Sequence, residues 1–144
     1  TFSQPSFAQD PYTLQVRNAD GDVRTFTLEA LDALVQVGVT TSTIWTEGEQ
    51  TFTGPSLRTV LDEAGLGAGS LTLTALNDYA IEMPAPSEGS AYPIVATRVD
   101  GKTMSIRDRG PYWILFPYDS DAAFQTETIY AQSIWQLNRI EWTE

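Results

Sequence analysis

The sequence predicts an α+β fold, mostly β-sheet with two or three short helices. Three observations carry that expectation. Short stretches of alternating residues recur along the chain, turn-forming Gly, Pro and Asp-Gly pairs separate them, and few segments place apolar residues at helical spacing. The 144 residues suffice for one domain that buries roughly two thirds of its unfolded surface. No internal repeat or boundary interrupts residues 12–144, and residues 1–11, polar with two isolated Phe and two Pro, read as an N-terminal arm.

Residues 12–17 and 23–28 alternate around the turn cluster Asn18-Ala-Asp-Gly-Asp22, which predicts a β-hairpin. Asn18, Asp20 and Asp22 have a calcium-loop flavour, but the closing glutamate is missing and the turn already explains Asp-Gly. Leu28, Leu31, Leu34 and Val35 give a short helix over 29–35, followed by a β-branched strand over 37–44. Leu57, Val60, Leu61 and Ala64, with Pro55 at the start and Gly65 at the stop, give a helix over 55–64. The Gly-rich run 66–69 follows that helix instead of preceding one, so it is a cap and linker and not a dinucleotide loop.

Short strands then follow at 71–76, 79–83, 94–99, 104–106 and 112–116, with a turn at Asp100-Gly101 and a Pro-rich surface excursion over 84–93. Residues 119–131 have weak helical character. A closing strand over 134–142 alternates Trp135, Leu137, Arg139 and Glu141 against Gln136, Asn138, Ile140 and Trp142. The expected core is Leu31, Leu34, Val60, Leu61, Leu73, Val95, Ile114, Phe116 and Ile140.

Composition removes whole classes of chemistry. Nineteen acidic against eight basic side chains give a net charge of −11, which disfavours nucleic acid as a partner. With no His and no Cys there is no thiolate or imidazole metal site, no Ser-His or Cys-His nucleophile and no imidazole base. The single lysine, Lys102, sits beside a hairpin turn and makes a poor Schiff base. No apolar run reaches the ~18 residues of a membrane span, so direct membrane insertion is not expected. Residues 1–10 lack a signal-peptide pattern, and an exported protein with its leader removed is compatible with such a start.

Two groups of residues attract attention. Asp62 and Glu63 lie on the outer face of a helix and read as solvated charges, whereas Asp78, Asp108, Asp119 and Asp121 fall in loops beside strand ends, next to aromatics or arginines. Aromatics also gather at strand ends: Trp45, Tyr79, Tyr112-Trp113 after Arg107-Asp-Arg-Gly110, and Tyr118. Such rings could form a slot for a flat ligand, with acids or arginines at its polar edge, although each ring taken alone is more readily read as core or rim.

The succession Thr41-Ser-Thr-Ile-Trp45, Phe52-Thr-Gly54-Pro-Ser-Leu57-Arg-Thr-Val-Leu61-Asp-Glu-Ala-Gly65 and Asn77-Asp-Tyr79 resembles the molybdopterin-binding domain of sulfite-oxidase-type oxidoreductases. Ala96 through Asp100-Gly101-Lys102, Arg109-Gly110-Pro111-Tyr112-Trp113-Ile114-Leu115-Phe116-Pro117 and Trp135-Gln-Leu137-Asn-Arg-Ile140 continue the likeness, which spans roughly residues 28–142. It implies the fold of that domain, an α+β architecture with a mixed sheet. The family's oxidases hold molybdenum through a cysteine after the strand that here ends near Trp45, and this chain has none; neither Ser42 nor Thr43 replaces a soft thiolate. Where the family often has His before Gly-Pro, Arg after it and Lys on the closing strand, this chain has Arg109, Trp113 and Trp135.

Exchanging cations for indoles weakens a grip on phosphate and favours stacking on a bare ring. The resemblance is nearest to small, cysteine-free, exported pterin-binding members of the superfamily, some thought to report to membrane-bound signalling proteins. It implies non-catalytic binding of a reduced pterin in the cell envelope, a periplasmic location, no tightly bound cofactor and no molybdenum. The implied ligand-binding residues are Trp45, Asn77, Asp78, Tyr79, Arg107, Asp108, Arg109, Trp113, Tyr118, Asp119 and Trp135, with Asp78, Asp108 or Asp119 as the carboxylate acceptor. The alternatives are a molybdopterin-dependent oxidoreductase that tolerates loss of the thiolate, and a module that binds only protein.

Overall fold

A computed structural model describes residues 13–144, and every structural statement below concerns those residues; the expected arm over 1–11 lies outside them. The first hairpin forms as expected, from β1 (Leu14–Arg17) and β2 (Val23–Phe26). In β1, Leu14 and Val16 are buried while Gln15 and Arg17 face out, which is the period-two signature in the sequence. Asn18 Oδ1 accepts from the backbone N–H groups of Asp20 and Asp22, both at 2.9 Å. That side chain therefore builds the turn.

Helix α1 (Leu28–Asp32) is capped by Thr27, whose hydroxyl accepts from Ala30 N–H. It stops earlier than residue 35 because the Gln36 side-chain amide donates to the carbonyls of Leu31 and Leu34, both at 2.9 Å, and satisfies the helix end. β3 (Gln36–Thr41) likewise ends before residue 44: Ser42 is captured by Asp119, and Thr43 Oγ1 accepts from Trp45 N–H, turning the chain. Trp45 thus sits in a turn and not at the end of a strand.

β4 (Gln50–Pro55) is absent from the sequence expectation, which gave Pro55 to a helix. Gly54 belongs to the strand for a packing reason, since a Cβ there would collide with the carbonyl oxygen of Val95. Helix α2 (Leu57–Glu63) begins instead at Ser56, whose hydroxyl accepts from Thr59 N–H at 3.0 Å. Leu57, Val60 and Leu61 are buried. Arg58 on the same helix is also buried, and its guanidinium donates to Asp62 at 3.0 Å and to the carbonyls of Leu66 and Pro86. One cation therefore pins the Pro-rich excursion against α2.

β5 (Ser70–Ala75) and β6 (Ala80–Pro84) form a second hairpin, with Tyr79 left in its turn. β7 (Ile94–Ala96) and β8 (Arg98–Val99) follow, and β9 (Lys102–Thr103) takes the place of the strand expected at 104–106. Residues Ile106–Asp108 form a single 3-10 turn. After β10 (Trp113–Leu115) come 3-10 turns at Tyr118–Ser120 and Ala122–Phe124, then α3 (Glu127–Gln132). Only the last part of the weakly helical segment is α-helix. β11 (Leu137–Thr143) closes the chain.

The sheets are β2-β1-β11-β5-β6, β3-β4-β8-β9 and the pair β10-β7, all antiparallel except β1 with β11. This is the mixed α+β architecture, with few short helices and several sheets, that the sequence predicts. A register shift between Leu137 and Arg139 breaks the expected alternation of the last strand, so Leu137 and Ile140 are both fully buried. Of the expected core, eight residues are buried, and Leu34 is only partly so, packed at its margin.

Leu61 is 0% exposed on α2. Leu61→Ala is expected to cost about 2–5 kcal/mol in denaturant unfolding through lost transfer energy and the cavity left behind. Unchanged stability would mean that the helix presents another face to the core.

Candidate functional site

Four segments converge at one end of the five-stranded sheet: the turn after β3, the β5–β6 turn, α3 with residues 133–136, and the loop before β10. The first three line a cleft of about 330 Å³. Its aromatic lining is Trp45, Tyr79, Tyr130 and Trp135; its polar lining is Asn77, Ser133 and Gln136; Ala75, Ala131 and Ile134 complete it. That volume lies at the small end of the range for small-molecule sites.

Trp45 is the hub of the aromatic wall. Its ring packs edge-on against Trp135 (5.4 Å), Tyr130 (5.8 Å), Trp113 (6.0 Å) and Tyr118 (6.1 Å), the geometry that ring quadrupoles favour. Trp113 and Trp135 pair as an isolated antiparallel bridge, and their rings lie 6.0 Å apart. Arg109 binds all three: one terminal nitrogen donates to the Trp45 carbonyl at 2.8 Å, and its guanidinium lies 5.6 Å from the Trp113 ring centre and 5.2 Å from that of Trp135. Its Nε is buried without a partner.

Backbone strain gathers here as well. The non-glycine residues in the left-handed region are Asp78 (φ 70°), Asp100 (φ 51°), Arg109 (φ 73°) and Gln136 (φ 56°), and all but Asp100 lie in loops that border the cleft. Gln136 N–H donates to the Arg109 carbonyl at 3.1 Å, so two of the strained residues hold each other. Such conformations persist only where surrounding contacts enforce them, and they concentrate at functional sites.

The sequence-predicted residues divide accordingly. Trp45, Asn77, Tyr79 and Trp135 line the cleft, and Arg109 braces its wall. Trp113 and Tyr118 do not line it. Both are buried behind it, where Trp113 Nε1 donates to the Ser133 carbonyl at 3.2 Å and the Tyr118 hydroxyl to Ser133 Oγ at 2.6 Å. Asp78 is exposed at the tip of the β5–β6 turn and is not part of the lining, and Arg107 is exposed in the 106–108 turn. Asp108 lies in the backbone of that same turn.

Asp119 is committed elsewhere. Its carboxylate accepts from Ser42 N–H at 2.7 Å and Ser42 Oγ at 2.8 Å, and these bonds hold its pKa below the ordinary carboxylate value. It fastens the turn after β3 to the turn after β10. Tyr130, Ser133, Ile134 and Gln136 were missed in the sequence; the signal that could have found them is Tyr130 preceding Ser133-Ile134-Trp135 at the entry of the closing strand.

The donor set does not fit a molybdenum-bearing cofactor. The chain has no cysteine, and no group of three or more His, Asp or Glu among the described residues is placed to hold a metal ion. The hydroxyls around the end of β3 are already used: Thr41 Oγ1 donates to the Ser42 carbonyl, Ser42 Oγ to Asp119, and Thr43 Oγ1 pairs with Thr46 Oγ1 at 2.8 Å. Arg109, the cation nearest the aromatic wall, is spent on a carbonyl and two indoles.

The sequence matches no family model, and no curated protein matches it. Among solved structures, the fold is similar to the crystal structure of the sulfane dehydrogenase SoxCD from Paracoccus pantotrophus, with a TM-score of 0.64 and 14% sequence identity. The match covers 94% of this chain and 38% of the length of that one. At this identity the likeness is one of fold.

Burial pushes the hydroxyls of Tyr112 and Tyr118 up to about 12 from 10.0. A raised folded-state pKa adds stability that is complete below the unfolded value and is lost as pH rises through the folded one. The protein is therefore expected to lose stability between pH 10.0 and about 12. Tyrosinate absorbance checks this, because these two hydroxyls should ionise well above 10.0 or together with unfolding. Ionisation of both near the free value, with the fold intact, would contradict the burial.

Proposed function

We propose that this chain binds a reduced pterin without catalysing a reaction on it. The observation that carries this reading is the composition of the cleft: four aromatic rings and two amides line it, with no carboxylate, guanidinium or ammonium among the lining side chains. Rings supply stacking surface, and amides supply neutral hydrogen bonds. Such a site suits a flat, uncharged heterocycle. A phosphate-bearing cofactor would lack cationic partners there and would meet a chain of net charge −11.

The sequence resemblance to the molybdopterin-binding domain of sulfite-oxidase-type oxidoreductases supports the same class of ligand, and this chain lacks the cysteine that holds the metal there. In this reading the positions corresponding to the family's cationic anchors, Trp113 and Trp135, have exchanged phosphate binding for a rigid aromatic wall braced by Arg109. We further propose that the protein acts in the cell envelope, in the periplasm, and reports ligand to a membrane-bound signalling protein. A binding module needs no acid, base or nucleophile at the site, and the lining side chains include no carboxylate, imidazole, thiol or ammonium.

Titration of intrinsic fluorescence with tetrahydropterin under anaerobic conditions tests the site. Trp135→Ala and Trp45→Ala are each expected to lose about 1–3 kcal/mol of stacking, which weakens binding at least about fivefold. Trp142, whose Nε1 donates to the Gly67 carbonyl away from the cleft, should be replaceable by Ala without effect on affinity. Unchanged affinity in both Trp45→Ala and Trp135→Ala would remove the cleft as the binding site. Elemental analysis of natively purified protein is expected to find no stoichiometric molybdenum; one atom per chain with sulfite or sulfoxide turnover would favour the oxidoreductase instead.

A further inference from the structure

The two amides in the cleft are each fixed at one end by the protein. Asn77 Oδ1 accepts from Tyr79 N–H at 3.1 Å, closing the β5–β6 turn. Gln136 Nε2 donates to the Ile106 carbonyl at 2.8 Å. A carboxamide is planar, with its donor and acceptor at opposite ends, so tying one end assigns the other. Asn77 therefore offers an N–H donor, and Gln136 offers a carbonyl acceptor. Ser133 adds nothing to this pair, since its hydroxyl already donates to the Ile129 carbonyl at 2.9 Å and accepts from Tyr118 at 2.6 Å.

The residues that carry the donor and the acceptor both line the cleft and are linked through the backbone. Leu76 N–H donates to the Gln136 carbonyl at 2.9 Å, which joins the residue before Asn77 to Gln136 across the ends of β5 and β11. Gln136 is held in its left-handed backbone conformation by bonds at its N–H, its carbonyl and its side chain. A surface glutamine gains little from such confinement; a specificity group gains a fixed direction.

We propose that the cleft selects its ligand by a lactam edge, the adjacent C=O and N–H of a flat ring, with Asn77 Nδ2 donating to the ring carbonyl and Gln136 Oε1 accepting from the ring N–H. This inference rests on the reading of the cleft as a pterin site and deepens it, because it replaces the carboxylate expected from sequence with a neutral pair. A ring whose carbonyl is exchanged for an amino group presents a donor to Asn77 and a bare nitrogen to Gln136. Both contacts then become mismatches, and an unpaired polar group in a site discriminates strongly.

The test compares tetrahydropterin with its diamino analogue, in which an amino group replaces the ring carbonyl, by fluorescence titration at neutral pH under anaerobic conditions. The wild-type protein should bind tetrahydropterin at least about tenfold more tightly. Asn77→Asp retains an oxygen for Tyr79 N–H, so the turn survives, but it removes the donor. In that variant the preference for tetrahydropterin over the diamino analogue should fall at least about tenfold, because a carboxylate accepts from the amino group and repels the carbonyl. Equal wild-type affinity for the two rings would overturn the lactam pairing and leave ring binding intact. Equal weakening of both rings by Asn77→Asp would also overturn it, reducing Asn77 to a turn former. Failure of both rings to bind the wild-type protein would overturn the pterin reading and this inference together.

Discussion

The site depends on one guanidinium. Arg109 donates to the carbonyl of Trp45, lies over the rings of Trp113 and Trp135, and accepts the Gln136 N–H on its own carbonyl. The turn after β3, the loop before β10 and the entry to β11 are far apart in sequence, and this residue joins all three. It does so from a left-handed backbone conformation that costs an ordinary side chain roughly 1–3 kcal/mol. The cost is offset by the carbonyl bond and by two cation–π contacts. With Arg109 in place, Trp45 and Trp135 are presented as a fixed wall, so little ordering is left for a ligand to impose.

The same arrangement commits the polar groups that surround the aromatic wall. Hydroxyls near the end of β3 are tied into internal bonds, Asp119 is tied to Ser42, and the cation nearest the indoles is tied to them. What remains open is aromatic surface and two half-used amides. An acidic protein with such a cleft is suited to neutral rings and poorly suited to phosphates. Fold and site chemistry are separable here because the sheets and α2 carry the core, while the cleft is made from turns at their ends.

Much of the architecture was legible in the sequence. The first hairpin, the inner face of α2, the β5–β6 pair and most of the core follow from local periodicity, which is strong where one face is buried. β4 was illegible because Gly54 and Pro55 carry turn and helix-start signals, while their real constraint is the close approach of Val95. The shift between Leu137 and Arg139 escaped because a bulge breaks the alternation that a strand reading assumes. At the site, the aromatic residues at strand ends were legible, but which rings form its surface was not. Trp113 and Tyr118 differ from Trp45 and Trp135 only in being covered by residues distant in sequence. The carboxylate candidates could not be ranked, because the commitment of Asp119 to Ser42 is a contact across 77 positions.

The central claim, that Trp45 and Trp135 are the stacking surface, is tested most directly by the indole N–H resonances of the four tryptophans in a two-dimensional NMR titration with tetrahydropterin. The largest shifts are expected at Trp45 and Trp135, with a smaller response at the covered Trp113 and none at Trp142. Saturating ligand that leaves the Trp45 and Trp135 signals unmoved, or that moves Trp142 most, would contradict it.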